Sequence, residues 1–261
     1  MLAPMKVRLA AALCVALAAC ANSAALEEEV LGAPPAPDTG FLANPVKGAP
    51  SSDRAPFDRF WVWQERDWRD HAKLYVAPVD VTHVLEMSLW GKVSVATIDW
   101  KSDLARLAVE FHDEVARAFR DDPNHHFEVS DDAGAPGADT AVLELALVQL
   151  VPPKAGLGIL GVSDWSAPLA IGVPADTATA LADQGSVAFE LRVRDGRTKT
   201  VEAMAADRET GPATAVDARS ATWYGNVDVA FRDWSHELVA LANTPRDEQA
   251  RRSAYFTPMP W

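Results

Sequence analysis

The run Ala141–Val151 (AVLELALVQLV) constrains the fold more than any other stretch, because it is mostly apolar on both faces that a strand presents. A strand of that kind has to be covered from both sides, which places it in the middle of a sheet. A clean alternation follows. Val187, Phe189, Leu191 and Val193 fall on one side, and Ala188, Glu190, Arg192 and Arg194 on the other. This predicts a strand with one core face and one solvent face. Asp195-Gly196 then reads as a hairpin turn into Thr200–Asp207. Earlier in the chain, Lys73–Val79 is a short β-rich run, and His125–Ser130 reads as a strand returning beside it. Between them Leu104, Leu107, Ala108, Phe111, Val115, Ala118 and Phe119 are spaced as one face of a helix, with Ser102 at its N-cap and Pro123 as its stop. A second helix carries Val227, Phe231, Trp234, Leu238 and Leu241, capped by Asn226 and ended before Pro245. Phe60-Trp61-Val62-Trp63 is a candidate edge strand. The expected architecture is α+β: one domain with a mixed, mainly antiparallel sheet, two helices on one face, and the order β-α-β-β-β-β-α.

The N-terminus carries an address. Met5-Lys6-Val7-Arg8 is a basic n-region, and Leu9 to Ala19 is an apolar run of eleven residues. That is about half of the roughly 20 residues a helix needs to span a bilayer, so residues 1–19 read as a signal peptide. The run ends in Leu17-Ala18-Ala19-Cys20, which resembles the lipobox of bacterial lipoproteins. The resemblance implies cleavage before Cys20, a lipid thioether on its sulfur and an acylated amine. Ala21, rather than Asp, after the Cys implies sorting to the outer membrane, facing the periplasm. An ordinary secretory signal with a chance Cys is the alternative. Residues 20–56 follow as a tether rich in Pro and Ala, then a domain over 57–243 and a tail over 244–261. Several acyl chains suffice for stable anchoring.

Charge narrows the function classes. With 24 Lys and Arg against 37 Asp and Glu, the formal net charge is −13, which argues against nucleic acid as a partner. The mixture of 49% hydrophobic and 23% charged residues is that of a folded domain. Of the two cysteines, Cys14 leaves with the signal and Cys20 carries lipid, so the mature chain has no disulfide.

Several short motifs resemble a known family. Thr39-Gly40-Phe41-Leu42, Tyr75-Val76-Ala77-Pro78-Val79, Val193-Arg194-Asp195-Gly196, Ala206-Asp207-Arg208-Glu209 and Phe231-Arg232-Asp233-Trp234 are together similar to a family of bacterial lipoproteins known only as domain of unknown function 3313. The likeness covers roughly residues 39–243. Family members carry a Gly-Glu pair where this chain has Thr198-Lys199. The resemblance implies an envelope location and an α+β fold, and brings no activity or catalytic residues.

Each chemical motif fails its context test. Gly156-x-Gly158-x-x-Gly161 matches a dinucleotide fingerprint in letters, but Pro152 and Pro153 precede it, and Ser163 to Pro168 cannot open the helix that the pyrophosphate needs. Ser163 lacks the closing Gly of a nucleophile elbow. The six histidines include no His-x-x-x-His pair; His112, His125 and His126 with Asp113 are the weak metal candidates, and most are expected at the surface. Asp121-Asp122 and Asp131-Asp132 read as solvated turn residues. Glu144, inside the apolar strand, is expected to pair with Arg192 or Arg194 rather than to act as an acid. Trp61, Trp63, Trp68, Trp90 and Trp100 precede the first helix and are expected to cover an open sheet edge, the alternative being a carbohydrate or peptide platform.

The connection from Pro152 to Gly185 is long for a compact domain and not polar. Leu157, Ile159, Leu160 and Trp165 make it a candidate docking loop for a partner protein or the membrane surface; the alternative is that it folds back over the sheet as core. The functional expectation is a lipid-anchored, non-enzymatic accessory or partner-binding module without a cofactor. A metal-dependent hydrolase and a periplasmic small-ligand binder are the rivals.

Overall fold

The computed structural model describes residues 36–42, 54–62, 67–87, 90, 98–131, 137, 139–153, 185–210, 224, 227–250 and 252. Its strands are β1 (Arg59–Val62), β2 (Lys73–Val76), β3 (Glu128–Ser130), β4 (Thr140–Val151), β5 (Ser186–Asp195) and β6 (Val201–Thr210); its helices are α1 (Thr82–Leu85), α2 (Trp100–Arg120) and α3 (Val227–Asn243). The strands form one sheet in the order β1-β6-β5-β4-β2-β3. Strand β2 runs parallel to β3 and β4, and every other pairing is antiparallel. The apolar run is therefore interior, and α2 is the crossover of a βαβ unit, as the sequence predicts. Asp99, not Ser102, caps α2: its Oδ1 accepts from the Ser102 N–H at 3.2 Å. Both are good caps, and the helix begins one turn earlier because Trp100 has a partner, stacking on Trp90 at 4.6 Å.

The two faces of the sheet are covered differently. On the front, α2 and α3 pack over Leu74, Leu143, Leu145, Leu147, Phe189, Leu191 and Val193. Phe111 of α2 stacks on Phe231 of α3 at 4.4 Å, and Phe189 meets Trp234 edge-on at 4.6 Å. Burying an aromatic side chain of this size is worth about 1.5–3 kcal/mol before any stacking gain. On the back, Trp61, Ala146, Val148, Ala188, Met204 and Ala206 pack against Ala36 and Leu42. Residues 36–42 lie within the stretch read as tether, and Arg246, Ala250 and Arg252 within that read as tail; all make contacts with the domain.

Two sequence expectations are corrected here. The tryptophans do not gather: Trp61 lies in the back layer, Trp68 stacks on Phe127 in the front core, and Trp90 pairs with Trp100. Trp63 lies outside the described residues. Asp122 is not solvated but 2% exposed, because Asn243 Nδ2 donates to it at 3.0 Å and so ties the end of α3 to that of α2. Burial alone would raise its pKa; hydrogen bonds from Asn124, Asn243 and His126 hold it below the usual carboxylate value.

Strands β4 and β5 meet again beyond the long connection, with Val151 opposite Ser186. Gly185 makes that closure possible, since its φ is +78° and a Cβ there would sit 2.9 Å from the Pro153 nitrogen. The connection therefore leaves and re-enters the sheet at one place. Leu157, Ile159, Leu160 and Trp165, with Gly156 and Ser163, lie outside the described residues, as do Cys20 and Asn226.

Candidate functional site

The polar face of β5 is where charge enters the fold. Glu144 on β4 sits opposite Arg192 on β5, and its carboxylate pairs with Arg192 Nε and with Arg194 Nε, the latter at 3.1 Å. The expected ion pair therefore forms with both arginines. Arg194 is consequently not a free solvent residue: its side chain is only 25% exposed, because the pairing draws it down onto the sheet.

Residues 36–42 close this face as a strap. Thr39 Oγ1 donates to Glu190 at 2.5 Å, Arg192 Nη1 donates to the Phe41 carbonyl at 2.9 Å, and Arg59 Nη2 donates to the Ala36 carbonyl at 2.7 Å. The Arg192 guanidinium also lies 4.4 Å over the Phe41 ring. Glu190 is fully buried, and burial raises its pKa despite the Thr39 hydroxyl and the Arg59 charge. Its Oε1 has no hydrogen-bond partner among the described residues. The strap is thus held to β5 by polar groups that would be stranded if it left.

A second concentration of acid lies on the front of β6, at Asp207, which pairs with Phe189 next to the Glu190–Ala206 pair of the back face. Asp207 is fully buried and accepts from Trp234 Nε1 at 2.8 Å, the Asp58 N–H at 2.9 Å and Arg252 Nη2 at 2.9 Å. Burial, then repulsion from Asp58, pushes its pKa up to about 7. Glu209 rises to about 8, through burial and then Asp207, Asp233 and Glu237. Neighbouring Arg208, 2% exposed, is lowered to about 10 by burial.

The histidines part company. His112 contacts Asp113 through Nδ1 at 2.9 Å, but its Nε2 faces the Val76 carbonyl at 3.2 Å. His126 Nε2 faces the Arg69 carbonyl at 2.8 Å, and exposed His125 takes a positive φ of 48° at the turn into β3. The structure therefore brings His112 and Asp113 together and leaves His125 and His126 apart from them. Instead His71, Asp195 and Glu202 converge, each offering one ligand atom within 4.8 Å of the others. Sequence spacing gives no hint of this trio. Its only signal is pairing register: Lys73 aligns with Thr140, and the next residue, Ala141, aligns with Asp195.

The space between sheet and helices is a void of about 10 Å³, lined by Phe57, Phe60, Trp68, Phe119, Leu143 and Leu191 among other apolar side chains. It is at the lower limit for one water and, being apolar, has no groups to orient one. A small-ligand pocket there has no support. No helix among the described residues is long and apolar enough to cross a membrane.

Comparison with known proteins gives a family and distant folds. The model of the family described as "Protein of unknown function (DUF3313)" matches residues 38–238. No curated protein matches the sequence. Among solved structures, the PelC dodecamer from Paraburkholderia phytofirmans is similar at 9% identity and a TM-score of 0.36, over 76% of this chain and 94% of that one. Protein XCC0632 from Xanthomonas campestris, of family DUF330, is similar at 14% identity and a TM-score of 0.38, over 66% of this chain and 84% of its own. The hypothetical protein CT253 from Chlamydia trachomatis follows at 10% identity and a TM-score of 0.35, over 66% and 98%. These likenesses are too distant to bear on function.

Proposed function

The chain belongs to the family of proteins of unknown function DUF3313, and from that premise we propose that it is a lipid-anchored protein of the bacterial envelope that works by holding a partner rather than by turning over a substrate. In this reading Cys20 carries the lipid, and the domain hangs from the periplasmic face of the outer membrane. The observation that carries it is the strap. Residues 36–42 follow the lipobox-like Leu17-Ala18-Ala19-Cys20 closely and are fastened to β5 through Thr39 and Phe41, and to Arg59 through Ala36. The fifteen residues from Ala21 to Pro35 reach at most about 50 Å when fully extended. The domain would thus stand within that distance of the bilayer.

Binding is favoured over catalysis because Glu144, His112 and His126 are each engaged by a neighbour, and the void between sheet and helices among the described residues is only about 10 Å³. The partner is an envelope protein. The connection containing Leu157, Ile159, Leu160 and Trp165 is the proposed contact, since its two ends are fixed side by side by β4 and β5.

Two measurements test this. Metabolic labelling with a clickable fatty acid should mark the wild type and not Cys20→Ala, which should also leave the membrane fraction; equal labelling overturns the anchor. Replacing residues 156–173 by a short Gly/Ser linker should abolish recovery of the crosslinked partner from intact cells at an unchanged melting temperature. A collapse of the melting temperature would make the segment core and remove the docking role.

A further inference from the structure

We infer that His71, Asp195 and Glu202 form a divalent-cation site, suited to Zn²⁺, at the end of the sheet where the β5–β6 hairpin turns. The three residues come from separate places: His71 follows the 3-10 turn Trp68–Asp70, Asp195 ends β5, and Glu202 lies at the start of β6. A bulge aims Glu202. Val193 pairs with Ala203 and Arg194 with Val201, so Glu202 is the extra residue on its strand. An extra residue of this kind re-aims its side chain, and here the carboxylate reaches His71, with Oε2 2.9 Å from Nε2.

Charge makes the case for a cation. Asp195 is 8% exposed and Glu202 3%. Among the described residues neither forms an ion pair with Lys or Arg; Lys199 Nζ, in the same turn, donates to the Gly196 carbonyl instead. One imidazole therefore faces two buried carboxylates, with no Lys or Arg among the described residues to balance the second. Buried like charges are costly, and a divalent ion neutralises them. Asp195 is held ready: its Oδ1 accepts the Arg197 and Thr198 N–H groups, and Oδ2 has no hydrogen-bond partner among the described residues. Spacing agrees. Tetrahedral zinc with nitrogen and oxygen ligands about 2.0–2.2 Å away holds those ligand atoms roughly 3.3–3.6 Å apart, between the 2.9 Å contact and the 4.8 Å limit of the cluster. One nitrogen and two oxygens favour Zn²⁺ over Mg²⁺ or Ca²⁺, which prefer oxygen alone. Three protein ligands leave a fourth position for water. The ion would fasten the hairpin turn to the segment leading into β2. None of this rests on the anchoring proposal.

The test uses the full chain, purified in detergent without a polyhistidine tag. After exposure to ZnCl₂ and dialysis, the wild type should retain about one zinc per chain by mass spectrometry of the elements. Its melting temperature should rise with Zn²⁺ and not with Mg²⁺. His71→Gln and Glu202→Gln should each weaken zinc binding at least tenfold and lose the shift. Asp195→Asn, which keeps the acceptor for the turn, guards against a folding defect in the other two. A wild type that retains no zinc and shows no shift overturns the site. So does a shift that survives in Glu202→Gln and Asp195→Asn.

Discussion

The front and back of the sheet solve the same problem with different materials. The front is covered by α2 and α3, whose Phe111, Phe231 and Trp234 interlock with Phe189 in a layer of large, fully buried side chains. The back carries Ala146, Ala188 and Ala206, and among the described residues its cover is the strap 36–42, fixed by two arginines, a threonine and a buried glutamate. A helix-covered face gives up large apolar areas together and so opens only when the whole domain does. A face covered by seven residues and a few polar contacts can open locally, at a free energy well below that of global unfolding. Strength sits in front and adjustability behind.

The front face should fail most completely. Phe189→Asp places a charge among Phe57, Phe111 and Trp234 with no counter-ion, a cost of several kcal/mol. Cooperative thermal unfolding followed by circular dichroism should disappear. A sharp transition within a few degrees of the wild type would mean that the front layer is not the source of stability.

This contrast also explains what the sequence discloses. Phe189 and its alternating neighbours declare the front face, because a two-residue period filled with large apolar side chains has few other solutions. Glu144 is legible for the same reason, since one acid inside an apolar strand needs a cation and β5 supplies arginines on one face. The strap is not legible. Ala-Pro-Asp-Thr-Gly-Phe-Leu has no period, and its contacts run to Glu190 and Arg192, about 150 residues away. The trio at the hairpin end is hidden by the bulge, which breaks the alternation at Glu202. The acid group around Asp207 is hidden by Arg252, which returns from the stretch read as tail.

The next largest effect is a pH dependence. Asp207, pushed up to about 7, and Glu209, pushed up to about 8, hold protons in the folded state that the unfolded chain has already released. The folded state therefore binds more protons between about pH 4 and 8, and stability falls as pH rises through that window. Asp67 and Asp122 are shifted down, so their contribution is complete above the ordinary carboxylate pKa and is lost only on further acidification. The melting temperature should peak near pH 5 and drop toward pH 8. Asp207→Asn keeps an acceptor for Trp234 and the Asp58 N–H, and should flatten the descent. A descent of unchanged steepness in that variant would remove Asp207 from the account.

On the back face the effects should be smaller and local. Thr39→Val removes the hydroxyl that serves Glu190 while conserving shape. A buried acid deprived of its donor costs about 1–3 kcal/mol. The penalty should appear as faster amide exchange confined to residues 36–42, with exchange on β4 and β5 changed far less. Uniform acceleration across the sheet would mean that the strap and the core open together, and that the two faces do not differ as described.

The finest test concerns how the strap grips. The Arg192 guanidinium stacks on the Phe41 ring and donates to the Phe41 carbonyl, so ring and backbone are both held by one side chain. Phe41→Leu preserves most of the apolar cover but removes the π face, a loss of about 0.5–1 kcal/mol for a partly exposed pair. Arg192→Lys also disturbs the pairing with Glu144, so its own cost does not isolate the ring contact. The double variant does. If the stack matters, Phe41→Leu should cost less in a chain already carrying Arg192→Lys than in the wild type, because the planar cation it would lose is already gone. Equal costs in both backgrounds would leave the strap held by the arginine bonds to its carbonyls and by Glu190 alone. In that case the back face would still be separately removable, but Phe41 would act only as apolar cover, and the grip would pass to Thr39 and the carbonyls of Ala36 and Phe41.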